Sequence, residues 1–136
     1  MGTGSNIAIN FDAWAAALGE VESNNKPFSF GDDGLAMGRY QIHPAFMFQW
    51  FPKDKLAVRL SWDNAFMLAL GKFFDHYSAN LPTFTSGPAE TASPALLLAM
   101  MFHLGVEGVH QGQWDTNYAQ RFETSYLPRM AAMLMV

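Results

Sequence analysis

The stretch SPALLLAMMFHLG, Ser93 to Gly105, decides the fold class. It opens on a helix N-cap residue, continues with proline at the first helical position and closes on glycine just past the end. Between those signals it is apolar on nearly every face. A helix of that kind is buried all round, so this segment is expected to be the central helix of the domain.

Working outward, the flanking segments also read as helices. FDAWAAALGEVES, from Phe11, places Phe11, Trp14, Ala15, Leu18 and Glu22 on one face at helical spacing. Asn10 caps its start, and Asn24, Asn25 and Pro27 stop it. Residues 25–37 read as a loop. HPAFMFQWF (43–51) reads as a short helix opened by Pro44 and ended near Pro52, and residues 54–60 add a turn or two. Ser61 caps a longer helix with a stripe of Phe66, Leu70, Phe73 and Phe74, then His76 and Tyr77. Residues 82–92 are loop by their Pro, Gly, Ser and Thr content. A last helix starts at the cap Asp115 and is expected to end at Pro128, with RMAAMLMV (129–136) as a further turn. The expectation is an all-α, compact single domain over residues 10–136, preceded by a flexible leader, 1–9.

Composition sets the outer limits. The chain has 136 residues, enough for one core, and half of them are apolar, with 12 Phe, 4 Trp and 4 Tyr. The net charge of -4 without a basic run argues against nucleic acid, which requires clustered Lys and Arg. There is no cysteine, which excludes disulfides and thiolate metal sites. The longest apolar run, Pro94 to Phe102, falls short of the ~18 residues of a membrane span. No secretory signal is visible, so an extracytoplasmic substrate requires another export route or a trimmed signal. His43, His76, His103 and His110 form no metal motif. No phosphate loop and no nucleophile elbow is present, and no cofactor is expected. Trp50, Phe51 and Trp114 read either as sugar-stacking aromatics or as core.

The chemistry concentrates in GEVESNNKPFSFGDDGLAMGRYQIHP, Gly19 to Pro44. Glu22 lies on the apolar side of the first helix, at its C-terminal end. Burial disfavours the charged form of a carboxyl, and the negative end of the helix dipole pushes the same way. A carboxylic acid still protonated near neutral pH is what cleavage of a glycosidic bond requires. The alternative is a solvated residue at a helix end. Glu20 sits roughly 200° around the helix from Glu22, by the 100° step per residue, and reads as the solvated one.

Glu22-Ser23, Pro27, Gly34, Gly38, Gln41-Ile42 and Pro44 together resemble the lysozyme-like lytic transglycosylases of the bacterial soluble type. Gly38-Arg39-Tyr40-Gln41 is also similar to the lambdoid phage transglycosylases. The likeness continues in order through Asp63 to Phe74, Met100 to Val109 and Thr116 to Phe122, and covers roughly residues 10–125. It implies a lysozyme-like fold with a catalytic groove. It also implies cleavage of the β-1,4 bond between N-acetylmuramic acid and N-acetylglucosamine in peptidoglycan, with a 1,6-anhydro product. Glu22 is then the single catalytic acid and later the base. Gly38 and Gly34 let the backbone approach the sugar, Gln41 bonds the glycan, and Tyr118 orients Glu22. Each has an alternative: turn glycines, a backbone-bridging glutamine, a core tyrosine.

The chain also departs from the family pattern. Phe102 and His103 stand where the family has Tyr-Asn; Phe102 loses a hydroxyl, and His103 can still donate a hydrogen bond. Arg39-Tyr40 replaces Leu-Met, leaving Tyr40 as a candidate glycan contact, and Ser29 is the candidate for a loop serine. The implied partner is the glycan strand of peptidoglycan, and the implied site of action is the bacterial cell wall: periplasmic, extracellular or phage-associated. A monomer is expected. Two rivals stand beside this reading. One is a hydrolytic muramidase in which Asp32 or Asp33 holds a water, the other an inert glycan-binding or structural module of a phage particle or secretion apparatus.

Overall fold

The computed structural model describes residues 9–135. The expected leader lies mostly outside them; Ile9, its last residue, packs against the core. Seven α-helices form in the described residues: α1 (Phe11–Ser23), α2 (Pro44–Trp50), α3 (Trp62–Ala79), α4 (Pro88–Thr91), α5 (Pro94–Leu104), α6 (Val106–His110) and α7 (Thr116–Leu134). The mostly helical class is as expected. The loop 25–37, however, contains a small antiparallel hairpin, β1 (Phe30–Gly31) and β2 (Ala36–Met37), joined by the 3-10 turn Asp32–Gly34. The lone bridge Met37↔Ile42 extends it. Two-residue strands are too short to leave an alternating pattern in sequence.

The caps explain where the helices start. Asn10, Ser61, Ser93 and Asp115 each accept a backbone N–H three residues on. Asn24 ends α1 in the left-handed conformation, φ 56°, a role asparagine fills at modest cost. Helix α5 is the centre, with Ala95 to Met101 buried without a break. Around it pack Trp14 and Leu18 from α1, Phe66, Leu70 and Phe73 from α3, and Tyr118 and Phe122 from α7. The Trp14 indole N–H donates to the Ala95 carbonyl at 3.1 Å, so the largest buried side chain is also polar-satisfied.

Two expectations need correction, and one helix lies in a segment the sequence left unassigned. Helix α7 does not end at Pro128 but continues to Leu134. Proline removes one helical hydrogen bond, yet the turn beyond it is held by tertiary contacts: Arg129 binds Glu20 at 2.9 Å and Met130 packs on the core. The segment 82–92 is not all loop, since α4 forms behind Gly87. Helix α6 follows α5 directly, separated only by Gly105 at φ 80°. No described helix is long and apolar enough to cross a membrane.

Candidate functional site

Glu22 sits one residue before the end of α1, half-buried, facing the N-terminal turn of α7. The Tyr118 hydroxyl donates to its Oε2 at 2.7 Å. The two are 96 residues apart in sequence and meet because α1 and α7 pack along each other. Burial raises the Glu22 pKa; the Tyr118 hydrogen bond foremost, then the electrostatic influence of the neighbouring His103, Arg121 and His43 side chains, oppose that rise without cancelling it. Arg121 is itself tied to the C-terminal end of α1 through the Val21 carbonyl, at 2.8 Å. Glu20 points the other way. It accepts from Ser125 and Arg129 on α7, and those bonds hold its carboxyl below the usual range.

Glu22 opens onto a cleft of about 490 Å³. The hairpin side supplies Asp32, Ala36, Gln41 and Ile42, the start of α2 supplies His43 and Phe46, and the end of α5 supplies Phe102 and His103. Phe102 is held edge-on by Phe46 at 5.2 Å and Phe73 at 6.0 Å. The His103 ring lies flat on Tyr118, centroids 3.8 Å apart and planes 8° apart. Its Nε2 is 2.9 Å from Asp115 Oδ2.

The loop is locked to the helices by polar groups. The Ser23 hydroxyl donates to the Arg39 carbonyl at 2.6 Å. Arg39 pairs with Asp63 on α3 at 3.2 Å and donates to the Asn25 carbonyl at 3.1 Å. Gln41, at φ 50°, donates its amide to the carbonyls of Ser29 at 3.2 Å and Gly38 at 2.9 Å. Both amide hydrogens are therefore used within the loop, and Gln41 is the backbone bridge that the sequence left as its alternative. It still lines the cleft. Gln41→Ala is expected to destabilise the domain by about 1–2 kcal/mol, because two side-chain hydrogen bonds that tie the turn together are lost, each carbonyl keeping only its backbone donor. Denaturant unfolding measures the loss, and faster amide exchange localised to residues 29–41 checks its origin.

Three site expectations are corrected. Tyr40 does not face the cleft: it is 2% exposed, and its hydroxyl approaches the Met67 sulfur at 3.7 Å on α3. Ser29 does not line the cleft either, and takes part in the loop through its backbone carbonyl, which accepts from Gln41 and from the Gly38 N–H. Gly38 is not among the residues lining the cleft, and a glycine there has a packing reason. At φ 78° it turns the chain, and a β-carbon there would lie 2.6 Å from the buried Phe66 ring. Gly34, at φ 88°, has open space instead.

The residues that sequence reasoning missed are His43, Phe46 and Asp115. His43 pairs with Asp32 across the cleft at 3.3 Å. Its signal was its place two residues after Gln41. Asp115 was read only as a helix cap, and its second oxygen found His103. No group of His, Asp and Glu able to hold a metal occurs among the described residues. Comparison with protein-family models, with curated proteins and with solved structures finds no match to this chain.

Proposed function

We propose that the chain is a lysozyme-like domain that cleaves the β-1,4 bond between N-acetylmuramic acid and N-acetylglucosamine in the glycan strands of peptidoglycan. It does so as a lytic transglycosylase of the bacterial cell wall. The observation that carries the reading is one acid in one cleft: Glu22, its pKa raised by burial, bonded to Tyr118 at 2.7 Å and open to a cleft of about 490 Å³. A protonated carboxyl donates to the leaving glycosidic oxygen as the bond breaks. The resulting carboxylate then accepts the proton of the sugar's own 6-hydroxyl, which attacks the anomeric carbon and closes the 1,6-anhydro ring. The Tyr118 hydroxyl donates to the carboxylate between the two transfers and holds it in place. The rings of Phe46 and Phe102 give the cleft an apolar wall for the faces of sugar rings.

A second reading has its own observation. Asp32 lines the same cleft, and an inverting hydrolase needs a second carboxylate to activate water. Against it, the Asp32 side chain is 69% exposed and paired with His43. Asp33 is not part of the cleft lining.

Mass spectrometry of digested peptidoglycan decides between the two. Released muropeptides are expected to end in 1,6-anhydro-muramic acid. Reducing ends carrying added water would assign hydrolysis instead, with Asp32→Asn as the next variant. Binding without any product would leave a glycan-binding module.

A further inference from the structure

Asp115 caps α7 with one oxygen and engages the cleft with the other. Oδ1 accepts the Tyr118 backbone N–H at 2.9 Å. Oδ2 lies 2.9 Å from His103 Nε2. The Tyr118 N–H foremost, and the His103 ring after it, hold the Asp115 carboxyl below its ordinary range. Asp115 is therefore ionised at neutral pH and only accepts hydrogen bonds, so Nε2 carries the hydrogen. In a neutral imidazole the other nitrogen, Nδ1, is then a bare lone pair. The flat stack on Tyr118 fixes the ring plane. No protein group among the described residues bonds Nδ1, and His103 lines the cleft beside Glu22.

We propose that Asp115 is a positioning residue that locks the His103 tautomer, and that His103 reads a hydrogen-bond donor of the bound glycan with its Nδ1 lone pair. The donors of a glycan are its hydroxyl and acetamido N–H groups. The inference rests on the glycan reading of the cleft. It reverses the polarity expected from the sequence, in which His103 donates.

Asp115→Asn tests the lock because it is nearly isosteric. Asparagine caps helices as well as aspartate, so its carbonyl oxygen keeps the Tyr118 N–H. Its amide nitrogen takes the place of Oδ2 and donates to Nε2, which moves the imidazole hydrogen to Nδ1. Nitrogen-15 NMR of the His103 ring, at a pH where it is neutral, is expected to report hydrogen on Nε2 in the parent chain and on Nδ1 in Asp115→Asn.

The second measurement is titration of an N-acetylglucosamine tetramer, with both chains carrying Glu22→Gln to prevent turnover. Asp115→Asn is expected to bind about tenfold more weakly, since a donor then faces a donor. His103→Phe keeps the stack, lacks the lone pair, and should weaken binding similarly with an unchanged unfolding midpoint. The same tautomer in both chains overturns the lock. An inverted tautomer with unchanged affinity overturns the reading of the glycan by Nδ1. Absence of tetramer binding by the parent chain overturns the glycan assignment itself. Binding and inversion as stated, with no cleavage of peptidoglycan by the parent chain, would leave this inference standing and sink the transglycosylase reading.

Discussion

Glu22→Gln is expected to reduce peptidoglycan cleavage by a factor of about 10² or more, the loss that follows removal of a positioned proton donor. The variant isolates the proton. Glutamine has nearly the shape of glutamate, and its carbonyl oxygen still accepts from the Tyr118 hydroxyl. It should also fold at least as well. The folded state raises the Glu22 pKa, so folding favours the protonated form. That preference is fully present below the unfolded value and is lost as pH rises through the raised one. Above that window the parent chain bears the cost of a half-buried carboxylate and the variant does not. Glu20→Gln is the control. Glu20 is exposed and bound to Ser125 and Arg129, on the side of α1 away from the cleft, and its loss should leave turnover of isolated cell walls near the parent rate. Substantial activity in Glu22→Gln, or a dead Glu20→Gln, would remove Glu22 from the mechanism.

The contrast between those glutamates was legible in the sequence because helical phase is a local property. Trp14 and Leu18 mark the buried stripe of α1, and Glu22 falls on it while Glu20 does not. The caps at Asn10, Ser61, Ser93 and Asp115 were legible for the same reason, since each works within three residues. The meeting of Glu22 with Tyr118 was not. Nothing in periodicity couples residues 96 positions apart, and only the ordered resemblance of the segments suggested it.

The failures have a common physical root in the loop. Between Asn24 and Ile42 the backbone takes left-handed conformations at Asn24, Asn25, Asp32, Asp33 and Gln41 as well as at glycines. Each such residue rotates the direction in which the next side chain points. Alternation therefore says nothing about which side chain faces the cleft, and Tyr40 turned inward onto α3. Gln41 looked like a free ligand because its two carbonyl acceptors, Ser29 and Gly38, are brought to it by the very turn it stabilises. The run through Pro128 was hidden differently. Local propensity argues for a stop there, and the contacts of Arg129 and Met130 with the rest of the fold outweigh it.

Tyr118→Phe is expected to lower kcat/KM roughly ten- to hundredfold, the ~1.5–3 kcal/mol attached to a hydrogen bond on a charged group. It is also expected to change the pH dependence in a stated direction. The phenylalanine ring keeps the core position of Tyr118 and the stack under His103, so the substitution removes one hydroxyl and little else. In the parent chain that hydroxyl donates to Glu22 at 2.7 Å and is the largest influence lowering the Glu22 pKa against the rise from burial. Without it the carboxylate loses its donor and the protonated form is favoured further. Proton donation to the leaving oxygen needs protonated Glu22, so activity falls as pH rises through its pKa. In Tyr118→Phe that falling limb should shift to higher pH, while the height of the profile drops. The drop has a separate cause: once the proton has been transferred, the carboxylate that must serve as base is left with less to hold it. A profile of kcat/KM against pH on isolated peptidoglycan reads both effects at once. A limb that stays in place, or moves to lower pH, would mean that the hydroxyl does not bond the carboxylate during turnover. Tyr118 would then be a core residue whose contact with Glu22 is incidental to the chemistry.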